Sequence, residues 1–396
     1  MRNIAAAIEF GTSKVICVIG REKSVGRFEV LGAGEAKYEG IKNGRWLMPS
    51  NVEEAVAKAL LIAEKKAHKR IRKVYVSIPG VFCKVSCHDG YAMVKNGVVR
   101  QQHIERLIDD ANDFYIDKKF KVVTSTPIYF ILDDGSHNID VIGSKTKQMR
   151  GRVSFVLARK HYVEDITMVL RNLNLEVSAF IPEMLAESLF LVPDEERDHC
   201  AVLVDAGYYD TNVTVVYGDA IVYNKTIHAG GMHVANDVSL VMDIDVDMAE
   251  QIKKRFAFGL ESNGAKMYDY AKHRSGRMEK FNHSTIAEII EARVSHLCQI
   301  IYQVFEQSPM PVARRTRVYL SGGGLAMMTG VRDILQKQLK RQVRISRIEA
   351  PQLSSPNYYV ALALLDYVFE TDYYREGYSG KSLAGRVSET MYDEPL

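Results

Sequence analysis

Cysteine is scarce in this 396-residue chain, tryptophan occurs once and proline ten times, and the net charge is only +3. Five cysteines (Cys17, Cys83, Cys87, Cys200, Cys298) build no disulfide framework at this length and read as buried thiols. Cys83, Cys87 and His88 lie in one strand-like run, but no second ligand pair accompanies them as a zinc site would require. No apolar stretch approaches the roughly 20 residues of a spanning helix. The start, MRNIAAAIEF, turns polar too soon for a signal peptide. These absences together predict a cytosolic location. The small net charge gives no argument for nucleic acid. One basic run, KKAHKRIRK from Lys65 to Lys73, reads as a solvated helix end leading into a strand, with a polymer or anionic lipid contact as its alternative.

What is present is the material of a soluble globular protein, 47% apolar and 26% charged. The length exceeds one ordinary core and implies two or more domains. The chain opens as a β-meander: IAAAIEFG, a tight turn at Gly11, Thr12 and Ser13, KVICVIGRE, and RFEVLGAGEAKY. A helix follows from the N-cap candidate Ser50, then the strand KVYVSIPG. From about Gly80 to Phe155 a self-contained α+β block intervenes. The first pattern then resumes with the helices YVEDITMVLRNLN and PEMLAESLFLV. At Cys200 the meander begins again, CAVLVDAG, turn, TNVTVVYG, so the architecture repeats although the identities do not. Further helices lead to RVYLSGGGLAMMTGVRDILQKQLK, a strand, glycine turn and helix. PNYYVALALLDYVFE is a final apolar helix, and no low-complexity segment precedes residue 373.

The second turn, DAGYYDTNVTVV, raises the chemical question. Strand–turn–strand units grip phosphates because turn amides converge on an anion. Close approach and positive φ want glycine there. Tyr208, Tyr209 and Asp210 stand where glycines or a threonine would be expected.

Five stretches in order, IEFGTSKVICVIG, VDAGYYDTNVTV, HAGGMHVANDVS, AEQIKKRFAFG and VYLSGGGLAMMTGV, resemble the phosphate, ribose and adenosine motifs of the actin-like ATPase superfamily. The position of the inserted block is similar to that of the bacterial cell-division family FtsA. The resemblance covers about residues 1 to 372. It implies an α/β, actin-like two-lobed fold of duplicated ribonuclease-H-like domains, with an inserted α+β domain in the first lobe. The implied divisions are 1–79 with 156–198 for the first lobe, 80–155 for the inserted interaction domain, 199–230 with 316–372 for the second lobe, and 231–315 for its small subdomain. Residues 373–396 would form a disordered tail.

The resemblance also implies ATP in the cleft between the lobes. Gly11, Thr12, Ser13 and Lys14 would serve the first phosphate hairpin, although GTSK by itself is equally an ordinary turn. Gly207 and Thr211 would serve the second hairpin, with Gly230 and Gly231 opening the small subdomain. Glu9 and Asp205 would position Mg2+ through its waters without ligating it directly. Glu250 and Lys253 would reach the ribose, or form a surface ion pair, and Gly322, Gly323 and Gly324 would carry the adenosine. With Tyr208, Tyr209 and Asp210 crowding the second hairpin and Asn212 replacing a usual aspartate, the expectation is an impaired nucleotide cleft and at most a weak ATPase.

An FtsA-like function means a polymer-forming adaptor at the division site on the inner face of the membrane. Its partners would be the C-terminal tail of the tubulin-like protein FtsZ, other copies of the chain, and other division proteins. Nucleic acid is not expected among them. Arg293 matches a position that pairs with the acidic FtsZ tail, with a plain surface arginine as the alternative. The tail offers Leu383, Val387 and Met391 as one thin apolar stripe, broken by Gly380 and Gly385 and ended by YDEPL. Membrane contact is therefore expected to be indirect or to need avidity. A small-molecule kinase of the same superfamily is the rival reading, with Glu183 or Glu187 as its candidate base. A pilus-assembly or shape-determining scaffold is another.

Overall fold

A computed structural model of the chain describes residues 4–24, 27–46, 48, 50–260, 268–273, 275–348, 350 and 353–375. The first meander is β1 (Ile4–Phe10), β2 (Lys14–Ser24) and β3 (Arg27–Lys37), followed by a two-stranded ribbon of β4 (Ile41–Lys42) and β5 (Arg45–Trp46). Helix α1 (Ser50–Ala67) returns the chain to β6 (Lys73–Ile78). Two glycines of β3 let α1 lie directly on the sheet: a Cβ at Gly32 or Gly34 would overlap the carbonyl oxygens of Ala63 or Ala59.

The inserted block holds β7 (Cys83–Met93), α2 (Gln101–Ala111), β8 (Phe120–Leu132), β9 (His137–Asn138) and β10 (Gln148–Arg159). They form a four-stranded sheet of order β7-β10-β8-β9. Its own core gathers Leu107, Ile104, Phe130, Met149, Val153 and Phe155. The chain then re-enters the first sheet through α3 (Lys160–Asn172) and β11 (Glu176–Pro182), and leaves it on α4 (Glu183–Leu191) and the short α5 (Asp194–Arg197).

The second meander is β12 (Ala201–Ala206), β13 (Thr211–Tyr217) and β14 (Ala220–Ile227). Next come α6 (Gly231–Met242), α7 (Val246–Arg255), a ribbon of β15 (Tyr268–Lys272) and β16 (Met278–Asn282), and α8 (His283–Gln307). Then follow β17 (Val318–Ser321), α9 (Val331–Leu339), β18 (Val343–Arg344) and α10 (Tyr359–Arg375).

The two large sheets have one plan. The first runs β11-β6-β1-β2-β3 and the second β18-β17-β12-β13-β14. In each, an antiparallel meander is joined on its first strand to a parallel strand (β1 with β6, β12 with β17). This is the duplicated α/β architecture expected of the actin-like fold. The first turns of the final helix are apolar on all sides because they are covered: Ala361 to Leu365 are fully buried. The helix runs to Arg375, past Glu370 where the sequence stretch read as helix ends, so residues 373–375, expected in a disordered tail, are helical. Residues 376–396, which include the Leu383, Val387, Met391 stripe, lie outside the described residues. Among the cysteines, Cys17, Cys200 and Cys298 are buried as expected, whereas Cys83 and Cys87 are only half-buried.

Candidate functional site

The meander turns of both sheets meet. Strand β1 ends at Phe10, and its turn closes with the Gly11 amide donating to the Lys14 carbonyl at 3.0 Å. The second turn closes in the same way, Gly207 amide to Asp210 carbonyl at 2.9 Å. The Tyr209 amide donates to Thr12 Oγ1 at 3.2 Å, which joins one hairpin to the other. Thr211 Oγ1 donates to the Ala229 carbonyl at 2.7 Å and so ties the second hairpin to the segment that opens α6. Ser13 accepts from the Tyr38 amide through its carbonyl at 3.1 Å.

Four carboxyls converge behind these turns. Glu9 and Asp205 stand near the ends of β1 and β12, the corresponding first strands of the two sheets, and α4 brings Glu183 and Glu187 beneath them. All four carboxyls are pushed upward, chiefly because burial penalises their charge: Glu9 to about 8, Asp205 to about 6, Glu183 and Glu187 well above the carboxylate range. Lys14 opposes the shift at Glu9, and the charge of Asp205 adds to it. Glu187, 1% exposed, accepts a hydrogen bond from Ser321 Oγ. Oε2 of Glu9 and Oε1 of Glu183 are buried with no hydrogen-bond partner. Among the described residues no three His, Cys, Asp or Glu side chains are placed to hold a metal ion directly.

Asn212 explains itself here. It sits across the ladder from Asp205 and hydrogen-bonds that carboxylate, while its Oδ1 accepts from Thr226 Oγ1 at 2.7 Å. An aspartate at 212 would place a fifth carboxyl in the cluster.

The tyrosines and Asp210 fill the second hairpin. Tyr208 and Tyr209 pack edge to face at 4.8 Å, and Lys42 lies over the Tyr209 ring at 5.3 Å. Tyr208 leans toward α7: burial and then the charge of Glu250 push its hydroxyl up to about 12. Asp210 is 5% exposed; Oδ1 faces His228 Nδ1 at 3.0 Å and Oδ2 is buried without a partner. Its carboxyl is raised by burial, with His228 opposing.

The expected phosphate and nucleoside groups are largely committed to one another. Lys14 Nζ pairs with Glu35 Oε2 at 2.8 Å and sits 4.9 Å from the Tyr358 ring. The Gly231 and Met232 amides at the start of α6 donate to the carbonyls of Gly207 and Tyr208 at 2.9 and 2.8 Å, and the Gly230 amide donates to His233 Nδ1. Gly324 donates to the Ala206 carbonyl at 2.7 Å, and a Cβ at Gly324 would overlap the Gly207 oxygen. Gly322 takes φ +87°, the left-handed region that favours glycine, so the triplet turns back onto the second hairpin; Gly323 packs against Asn357. Lys253 is 3% exposed, pairs with Glu250 Oε2 at 2.8 Å and donates to the Gly231 carbonyl at 3.1 Å. Its ammonium is lowered by burial, against the pull of Glu250. The pair is therefore no surface ornament, since it fastens α7 to the start of α6.

The structure thus brings Glu9, Gly11–Lys14, Asp205, Gly207, Thr211, Gly230, Gly231, Glu250, Lys253 and Gly322–Gly324 together in one contiguous cluster about the two hairpin turns. Arg293 lies apart on α8. It is half-buried and already bound: Nε and Nη2 reach Asp237 of α6 at 2.5 and 2.9 Å. Neither a free arginine nor a plain surface one describes it. Sequence reasoning missed its partner, as it missed His228, Ser321 and Glu35; no local pattern signals such distant pairings.

The family model for "Cell division protein FtsA" matches residues 202–363. The Cell division protein FtsA of Neisseria meningitidis serogroup B is 24% identical over 373 residues, 91% of this chain and 89% of the relative. The chain is FtsA-like. The FtsA of Bacillus subtilis is 20% identical over 365 residues, covering 91% of this chain and 82% of that protein. Solved structures carry the same fold. The PilM–PilN type IV pilus biogenesis complex aligns with a TM-score of 0.63 at 16% identity, over 92% of this chain and 98% of that one. MreB5 of Spiroplasma citri bound to AMPPNP aligns at 0.57 and 12%, over 94% and 98%. The chain is thus similar to FtsA over most of its length and shares the fold of the actin-like structures. Among the described residues no helix is long and apolar enough to cross a membrane.

Proposed function

We propose that this protein serves bacterial cell division as an actin-like scaffold, with a cleft that takes a nucleotide weakly and turns it over slowly or not at all. The observation that carries this reading is the alignment with FtsA over 91% of the chain, joined to a second hairpin whose space and amides are already used. The cleft residues suit a cation better than a triphosphate. Glu9 and Glu183 each keep a buried oxygen without a partner, and a hydrated Mg2+ near Glu9 and Asp205 would satisfy such groups by water-mediated contacts. The second hairpin does not suit a γ-phosphate. Asp210 opposes its charge, and the Tyr209 amide is spent on Thr12. No hydrolytic step is assigned to these residues. The first hairpin (Gly11, Thr12, Ser13), Gly207, Thr211 and the Gly322–Gly324 loop are the groups that would hold ATP. Glu250 and Lys253 would do so only after exchanging their mutual contact for the ribose.

The partner reading follows the family. FtsZ would bind through its acidic C-terminal tail at Arg293, in exchange for Asp237. Copies of the chain would assemble into filaments beneath the membrane at the division site, with the inserted domain contacting other division proteins. Co-sedimentation with FtsZ polymers tests the reading. Retention that is lost when the FtsZ tail is removed supports it. Equal recovery of the protein with and without FtsZ overturns it.

A further inference from the structure

The basic run from Lys65 to Lys73 takes no part in the hairpin cluster, and the fold builds it into a groove. Its six lysines and arginines exceed the whole chain's net charge of +3, so the remainder is net negative. The segment between α1 and β6 crosses the end of the first sheet that lies away from the hairpin turns. Buried Glu64 fixes its course, pairing with Arg70 at 2.9 Å and accepting from the Ile71 amide at 2.7 Å. The Arg72 carbonyl accepts from the Glu176 amide at 2.8 Å, and Lys73 pairs with Glu176 Oε1 at 2.8 Å. A groove of about 350 Å³ opens between this segment and the start of β1, and Ile4, Ile71, Lys69, Arg70, Arg72 and Lys73 line it. These groups are within reach of a ligand: Ile4 is 41% exposed, Ile71 is half-buried, and all four cations are exposed. Lys69 and Arg72 have no ion-pair partner among the described residues. An occupant that suits the groove joins apolar side chains to several acids.

The chain contains such a segment. Residues 388–396, SETMYDEPL, carry Glu389, Asp393 and Glu394 among Met391, Tyr392 and Leu396, and no basic residue. The chain also leaves the fold close by. Helix α10 packs through Phe369 on Gly20 and Phe28, and Gly20 stands opposite Ala5, the neighbour of Ile4. Arg375 ends the helix, about 9 Å beyond Phe369. Residues 376–387 then span up to about 40 Å when extended, enough to turn round the end of the sheet from the α10 face to the α1 face. We propose that residues 388–396 seat in this groove of their own chain, with their acids on Lys69 and Arg72 and with Met391 and Tyr392 on Ile4 and Ile71. Hydrogen bonds between charged groups such as these are the stronger class. A flat headgroup layer would meet the cations but leave the recess at Ile4 and Ile71 unfilled, whereas side chains enter it. Seated there, the segment covers the chain's own cations, and any other polyanion must displace it.

The test is photo-cross-linking in the full chain with p-benzoylphenylalanine in place of Tyr392. The expected product has the mass of one chain, with the link mapped to Ile4 or to the segment from Lys69 to Lys73. Lys69→Glu/Arg72→Glu should reduce the yield at least about fivefold, and adding Asp393→Lys/Glu394→Lys to it should restore most of the yield by reversing both charges. If the first variant fails to fold, as judged by circular dichroism, Asp393→Lys/Glu394→Lys alone must give the same loss. Links mapped elsewhere, a yield indifferent to charge reversal, or a product with the mass of two chains would each overturn the proposal. So would flotation of the full chain on phosphatidylserine vesicles that Lys69→Glu/Arg72→Glu abolishes, since the groove would then belong to a lipid surface.

Discussion

Asp210→Asn should tighten ATP binding at neutral pH. The substitution keeps the size of a side chain that is 5% exposed and keeps a polar atom for His228, now 3.0 Å from Oδ1. It removes a carboxylate that would face the phosphates from the second hairpin. At an effective dielectric of about 20, one unit charge about 8 Å from a phosphate charge costs about 2 kcal/mol, which is roughly a 30-fold change in Kd. The pH dependence distinguishes this cause from general loosening. The Asp210 carboxyl is raised by burial, so in the wild type it becomes neutral as pH falls into that raised range, and the gap between variant and wild type should close there. Titration of a fluorescent ATP analogue from pH 5 to 8 measures both arms, with thermal denaturation as the control for folding. Equal affinities at pH 7.5, or a gap that does not narrow as the pH falls, would refute the electrostatic reasoning.

Glu9 holds its proton up to about 8 whereas an unfolded glutamate releases it near 4.3. The folded state therefore binds the extra proton, and stability should fall as pH rises between those values. Glu9→Gln should flatten that slope in urea denaturation, and an unchanged slope would assign the pH dependence to other groups. Gly231→Ala should destabilise the fold by roughly 2 kcal/mol or more, because its Cβ would lie 2.7 Å from Gly324 Cα and backbone yields poorly to overpacking; a thermal midpoint equal to wild type would contradict the close packing. Arg293→Glu should weaken binding of an acidic FtsZ-tail peptide and set a like charge against Asp237, whereas unaltered peptide affinity would leave Arg293 a purely internal tie. Dilute protein should not float with anionic vesicles, and flotation abolished by deleting residues 378–396 would show that this segment is an anchor.

Much of the frame could be read from order and alternation. The two meanders, the glycine triplet before a helix and the apolar start of the final helix were legible, because period-2 and period-3.6 patterns are local properties; the last strand of the block expected to end at Phe155 runs on to Arg159. The cleft was legible as a set of positions but not as a set of bonds. Lys14 reads as a charge for phosphate, yet Glu35 stands across the sheet and claims it. Arg293 reads as a partner-binding or surface arginine, yet Asp237, on another helix, binds it through Nε and Nη2. Asn212 reads as a lost acid, and only the ladder partner Asp205 explains why an amide belongs there. Each depends on register or packing between residues distant in sequence, which periodicity does not encode. Gly32 and Gly34 read as ordinary strand residues, since nothing local announces that a helix will rest on them.

Three of the carboxyls behind the hairpins, Glu9, Glu183 and Glu187, amount to a small proton store near neutral pH, beside Asp205, which is raised only to about 6. Any cation that settles beside Glu9 and Asp205 must expel protons to find charged oxygen, so its arrival is at the same time an acid release. The heat of that event will then differ between two buffers in proportion to their ionisation enthalpies and to the number of protons set free. Titration calorimetry in a matched pair of buffers would count those protons directly. The occupancy of the cleft by a cation would follow the acidity of its surroundings, loosening as they acidify, even where no nucleotide is turned over at all.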